Sequence, residues 1–208
     1  MSIEIWITYV FAVSLILVVP GPTVVLVISQ ATNYGRISVV PLITGVVFGD
    51  FIAMTFSLTG LGALMSTSAE LFTTFKWIAA VYLIYLGIKQ FITSPIKSSV
   101  SNSSKRKSSL LLFRSSFIVT ALNPKGIAFF VVFFPQFITP SEPVLMQLII
   151  LGSTFLFLAF LNITIYAIFA GRLQNSIKQG YVRKWFNRLS GSVLIGAGIF
   201  TAAMQKSA

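Results

Sequence analysis

The 208-residue chain contains no cysteine and no histidine. Lacking cysteine, it can form no disulfide, iron–sulfur ligation or CxxC redox pair; lacking both, it can form no Cys/His zinc site. The absence of histidine also removes every His-based triad and the commonest general base. Intramembrane proteolysis needs paired aspartates, Ser with His, or a zinc motif such as HExxH, and the apolar part of this chain offers one aspartate. There is no GxxxxGK[ST] phosphate loop, so the chain does not itself use ATP. No enzymatic activity, metal or other cofactor is expected.

Charge is also scarce. Only 9% of the residues are charged and 56% are hydrophobic, where soluble domains carry about 25% charged residues. So few charges cannot cover a water-exposed surface, so the composition is that of an integral membrane protein. The net charge of +11 would by itself suggest nucleic acid. However, the cations sit in short segments between apolar runs, where topology signals belong, and no basic domain of adequate size exists.

What the chain has in abundance is apolar sequence. A span needs about 20 apolar residues. Six stretches qualify, at about 5–29, 39–64, 71–91, 110–134, 144–170 and 189–204. The first has only Glu4 before its apolar run and no basic leader, so it reads as a transmembrane helix rather than a cleaved signal. The expected fold is an all-α membrane protein of six transmembrane helices, one domain over 1–208. Its halves are about 1–93 and 110–208, joined by a basic, Ser-rich linker at 94–109. Short connections are expected at 31–38 and 65–70, and an interfacial amphipathic segment at 171–188.

Lys and Arg are enriched in cytoplasmic loops. With the first, third and fifth loops inside, Arg36, Lys89, the linker cations, Arg114 and the cluster from Arg172 to Arg188 are all cytoplasmic. Glu4, Glu70 and Glu142 then lie outside, with Lys76 and Lys206 the only cations there. The expected placement is multi-pass in the cytoplasmic (inner) membrane, with both termini on the outer side.

Two of the apolar runs are interrupted. Pro20-Gly21-Pro22 lies within the first and Asn123-Pro124-Lys125 within the fourth. Proline lacks an N–H and clashes with the preceding turn, so a helix breaks there. In lipid, the freed carbonyls are tolerable only against protein or a wet cavity. One break per half, with three spans per half, predicts an inverted 3+3 repeat with helices one and four broken around a binding site.

The candidate site residues follow from the same reasoning. Asp50 lies midway along an apolar span, where a charge costs about 2.5–3.5 kcal/mol. It needs a partner, a wet cavity or a proton, and reads as a proton carrier, an amine ligand or both; the alternative is a structural hydrogen bond. Lys125 reads either as a carboxylate ligand or as a fixed ion pair with Asp50. Half-helices starting after Pro22 and after Asn123-Pro124 present free N–H groups and a positive dipole end to an anion. Thr23 adds a hydroxyl, Asn123 an amide, and Gly21 lets the chain bend or a ligand approach the backbone. Asn162 and Tyr166, one turn apart, could line the cavity. Gly45 and Gly49, and the glycines from Gly191 to Gly198, read as helix-packing positions.

Four segments carry a resemblance: PGPT (Pro20 to Thr23), GVVFGD (Gly45 to Asp50), NPKGIAFFVVFFPQF (Asn123 to Phe137) and RKWFNRLSGSVLIGAG (Arg183 to Gly198). In this order they resemble the signatures of the LysE/RhtB amino-acid exporters over nearly the whole chain. The resemblance implies the inverted repeat and export of amino acids such as threonine, homoserine or lysine against proton entry. The residues agree: groups of opposite sign suit a zwitterion, with its ammonium at Asp50 and its carboxylate at Lys125. The expected partners are an amino-acid substrate, protons and the lipid bilayer; a homodimer is compatible and nucleic acid is not. A channel or uncoupled permease for small solutes is the competing reading, distinguished by flux without proton coupling.

Overall fold

A computed structural model describes residues 1–67, 69–92 and 108–170, with scattered positions between 172 and 202. The linker and most of the last expected span and the 171–188 segment lie outside these residues. Seven α-helices are described: α1 (Ile3–Val18), α2 (Pro22–Tyr34), α3 (Val39–Thr67), α4 (Ala69–Ile92), α5 (Ser109–Ala121), α6 (Pro124–Ala128) and α7 (Val144–Ile168). No strand occurs among the described residues.

The helix ends follow from local chemistry. Ser2 and Ser108 cap α1 and α5, each hydroxyl accepting a backbone N–H three residues on, at 3.3 Å. Pro20 and Pro22 cannot donate, so α1 stops at Val18 and α2 begins at Pro22. Pro124 likewise opens α6. Beyond α6 the chain continues as a π-helical turn (Phe129–Phe133) and a 3-10 turn (Phe134–Phe137), where Pro135 has no N–H for a regular helix. The α5 segment and the Pro124–Phe137 segment meet at 41°.

The connection expected at 31–38 is helical instead. The 31–38 stretch continues α2 to Tyr34 and then makes a 3-10 turn, Gly35–Ser38. Gly35 allows this with φ of 68°, a left-handed conformation that side chains disfavour. At 65–70, α3 runs to Thr67 and α4 starts at Ala69.

The six-span count is not reproduced helix by helix. By length and composition, two described stretches are long and apolar enough to cross a membrane, Pro22–Gly60 and Val144–Ile168. The bent pair makes a third if taken as one span. The proline break leaves α1 only 16 residues long.

α3 lies centrally and packs along α5 and α7. Glycine makes the α3–α5 approach possible. A Cβ on Gly45 would run into the Ser116 hydroxyl, and one on Gly49 would lie 2.8 Å from the Phe117 carbonyl. Gly191 and Gly198 play the same part against α4, meeting the Gly87 and Ala80 carbonyls, whereas a Cβ on Gly196 would meet nothing. Gly45→Ala is therefore expected to push α3 from α5 and destabilise the fold by about 1–3 kcal/mol, the usual range for overpacking. Thermal unfolding in detergent checks this; an unchanged melting temperature would contradict the close contact.

Two apolar clusters flank the middle of the fold. One joins α2, α3 and α7 around Val27, Leu42 and Ile163. The other joins α1, the Phe129–Phe137 turns and α7 around Tyr9, Phe130, Phe134 and Phe155. The phenylalanine run is thus largely packing: Phe129 stacks on Phe155 at 5.4 Å, and Phe130 meets the same ring edge-on at 4.8 Å.

Candidate functional site

An open cavity lies where the two clusters meet the two helix breaks. Gly21, Thr23, Asp50, Asn123, Lys125 and Asn162 all line it. Residues from α2, α3, α6 and α7, expected separately from the sequence, are therefore gathered in one place. Pro20, Pro22 and Pro124 do not line it; they set the backbone breaks that shape it. Tyr166 is not in the lining either.

The breaks are tied to each other. The Asn123 Oδ1 caps α6 by accepting the Lys125 N–H at 3.2 Å, and its Nδ2 donates to the Thr23 hydroxyl at 3.3 Å. The Thr120 hydroxyl donates to the same oxygen at 3.3 Å. With two donors on its oxygen, Thr23 retains its own O–H to donate. Gly21 is extended, with φ of −104° and ψ of −168°, so the backbone does not demand glycine. A Cβ there would lie 3.6 Å from the Lys125 Cδ, an ordinary contact. What glycine leaves open is the first turn of α2, whose N–H groups have no side-chain cap.

Lys125 departs from the fixed ion pair with Asp50 that was one of its two expected roles. Its ammonium makes no salt bridge with Asp50. It donates instead to the carbonyls of Ile16 and Val19, both at 2.7 Å. The Tyr166 hydroxyl donates to the neighbouring Val18 carbonyl at 2.6 Å. These are carbonyls that the proline break deprives of helical partners, at the negative end of the α1 dipole. The cation and the phenol therefore act together as a C-cap for the broken helix. An ammonium has three N–H groups, so one remains beyond the two given to carbonyls.

Asp50 stands differently. It is 9% exposed, lines the cavity, and accepts no hydrogen bond from any described residue. The Asp50 Oδ1 lies 4.0 Å from where a Cβ on Gly126 would be, so α3 presents the carboxylate to the start of α6. Among the described lining residues it is the only acid and Lys125 the only base. No cluster of three potential metal ligands occurs among the described residues.

Several contributors escaped the sequence reading. Thr120 on α5, and Phe129, Phe155 and Ala159, line the cavity without any signal that separates them from ordinary span residues. Gln30 and Ser115 join α2 to α5 by a hydrogen bond of 3.0 Å; a buried amide in an apolar run was the available clue.

Broken helices that cradle oppositely charged groups in an otherwise apolar helical protein define a membrane transport protein. The chain belongs to the LysE type translocator family, which it matches over residues 14–205. It is thus a membrane translocator and not an enzyme. It is 32% identical over 205 residues to a homoserine/homoserine lactone efflux protein of Salmonella typhimurium, covering 99% of each chain. It is 30% identical to a leucine efflux protein of Enterobacter, covering 79% of this chain and 78% of that one. An uncharacterized membrane protein of Vibrio cholerae is 30% identical over 99% of this chain and its own full length. No solved structure matches.

Proposed function

We propose that the protein is a secondary exporter of amino acids across the cytoplasmic membrane, exchanging substrate for protons. The observation that carries this reading is the Asp50 carboxylate, buried in the cavity wall with no hydrogen-bond donor among the described residues. Such a group holds either a proton or a substrate ammonium, and the two exclude each other. A proton entering from outside displaces the ammonium, and its departure readies the site for the next substrate.

The substrate carboxylate then faces the third N–H of Lys125, the uncapped first turn of α2 and the Thr23 hydroxyl. Gly21 keeps that approach open, while Asn123 and Thr120 hold Thr23 in place. Asn162 lines the same cavity on α7 and offers an amide to either end of the substrate. The efflux functions in the relatives' names are consistent with a zwitterionic cargo. Export of a labelled amino-acid panel from cells, with and without a protonophore, tests the reading. Proton-dependent efflux is expected; flux that ignores the proton gradient would favour a channel or uncoupled permease.

The architecture that goes with this reading is six spans in an inverted 3+3 repeat. The halves are 1–93 and 110–208, with both termini outside. The Lys/Arg asymmetry and the break in each half support it. Because the chain has no cysteine, single-cysteine labelling needs no background removal. Ser141→Cys is expected to react with an impermeant maleimide added to intact cells, and Ser103→Cys only after permeabilisation. The reverse pattern would overturn the orientation.

A further inference from the structure

Phe155, Ala159 and Asn162 follow one another at helical spacing on α7 and all line the cavity. Phe155 and Ala159 belong to the apolar cluster that Phe129 completes, its ring stacked on Phe155. The cavity therefore has a charged side, with Asp50 and Lys125, and an apolar wall shared among α1, α2, α3, Phe129 and α7. Ala159, 3% exposed, is the one small side chain of that wall. Resting on the exporter reading above, we propose that Phe129, Phe155 and Ala159 form the subsite for the substrate's side chain. They restrict export to neutral amino acids with short or medium aliphatic side chains, and Ala159 sets the permitted length.

The argument is one of charge and volume. The α-ammonium and α-carboxylate engage the only acid and the only base among the described lining residues. A second charge on the substrate would find no counter-ion and would lie against aromatic rings, which is costly when desolvated. An uncharged aliphatic chain instead replaces water on those rings. Its reach toward α7 ends at residue 159, where any larger side chain occupies the space that the substrate's terminal methyl groups would fill.

The test uses the full-length protein in proteoliposomes with labelled alanine, threonine, leucine and lysine. Wild type is expected to carry the three neutral amino acids and to discriminate against lysine. Discrimination by a single methylene in an apolar pocket is about 10–200-fold. Ala159→Leu is therefore expected to lower the leucine-to-alanine transport ratio at least about tenfold, and Ala159→Gly to raise it. The glycine variant removes atoms only, so it carries the test where the leucine variant fails to assemble. A leucine-to-alanine ratio that neither functional variant moves, or lysine carried by wild type as well as leucine, overturns the subsite. Wild type that carries none of the four overturns the exporter reading, and the subsite with it.

Discussion

Lys125→Met is expected to raise the KM for export at least about tenfold and also to lower stability. The two losses have different origins. Hydrogen bonds from a charged group contribute about 1.5–3 kcal/mol each, and this ammonium donates two, to the Ile16 and Val19 carbonyls. Methionine fills a similar volume but leaves the Ile16 and Val19 carbonyls at the end of α1 without their donor, so thermal unfolding in detergent should move to lower temperature. The third N–H, which the proposed function gives to the substrate carboxylate, is lost as well, and that loss is expected in KM. Tyr166→Phe separates the two effects. It removes the bond to the Val18 carbonyl from a residue outside the cavity lining. It should lower stability without a comparable change in KM. If Lys125→Met behaves as Tyr166→Phe does, with KM unmoved, Lys125 only caps the helix and the carboxylate is held elsewhere.

Asp50→Asn is expected to abolish uphill transport altogether while leaving exchange of substrate for substrate measurable. The amide keeps the shape of the carboxylate and removes its ability to exchange a proton. One proton crossing 100 mV supplies about 2.3 kcal/mol, close to a fifty-fold gradient. A single group that alternates between proton and cargo makes the exchange obligatory. Asp50 is the sole acid in the described cavity lining, so no second group can take over the task there. Loss of accumulation with retained counterflow is the signature of uncoupling. Loss of both would assign Asp50 to substrate binding alone, and retention of both would remove it from the mechanism.

The breaks were legible in the sequence because proline chemistry is local: Pro20, Pro22 and Pro124 end and start helices wherever they stand. Asp50 was legible because a charge in an apolar span demands a reason. The destination of Lys125 was not. It depends on α6 meeting the end of α1, more than a hundred residues earlier in the chain, and a one-dimensional reading offered a substrate carboxylate or the opposite charge of Asp50 but no backbone carbonyls. Tyr166 escaped for the same reason; its tip reaches Val18 rather than the cavity. Asn123 and Thr23 were each singled out, yet their mutual bond, which makes one unit of two breaks, exists only in three dimensions. Ser38 and Arg36 read as a polar connection at 31–38, but a short run of polar residues suits a 3-10 turn as well as a loop. Phe155 and Ala159 carry no signal at all, since an apolar residue in an apolar span points to lipid, core or cargo with the same letter.

The central claim is that proton entry drives amino-acid export through this one cavity. Its most direct test is transport by the purified protein in proteoliposomes carrying an imposed pH difference and equal concentrations of labelled amino acid on both sides. Accumulation is expected on the more acidic side, from which protons flow out, and collapse of the pH difference by a protonophore is expected to abolish it. Equilibration to equal concentrations, with or without the protonophore, would contradict proton-coupled export and leave an uncoupled permease in its place.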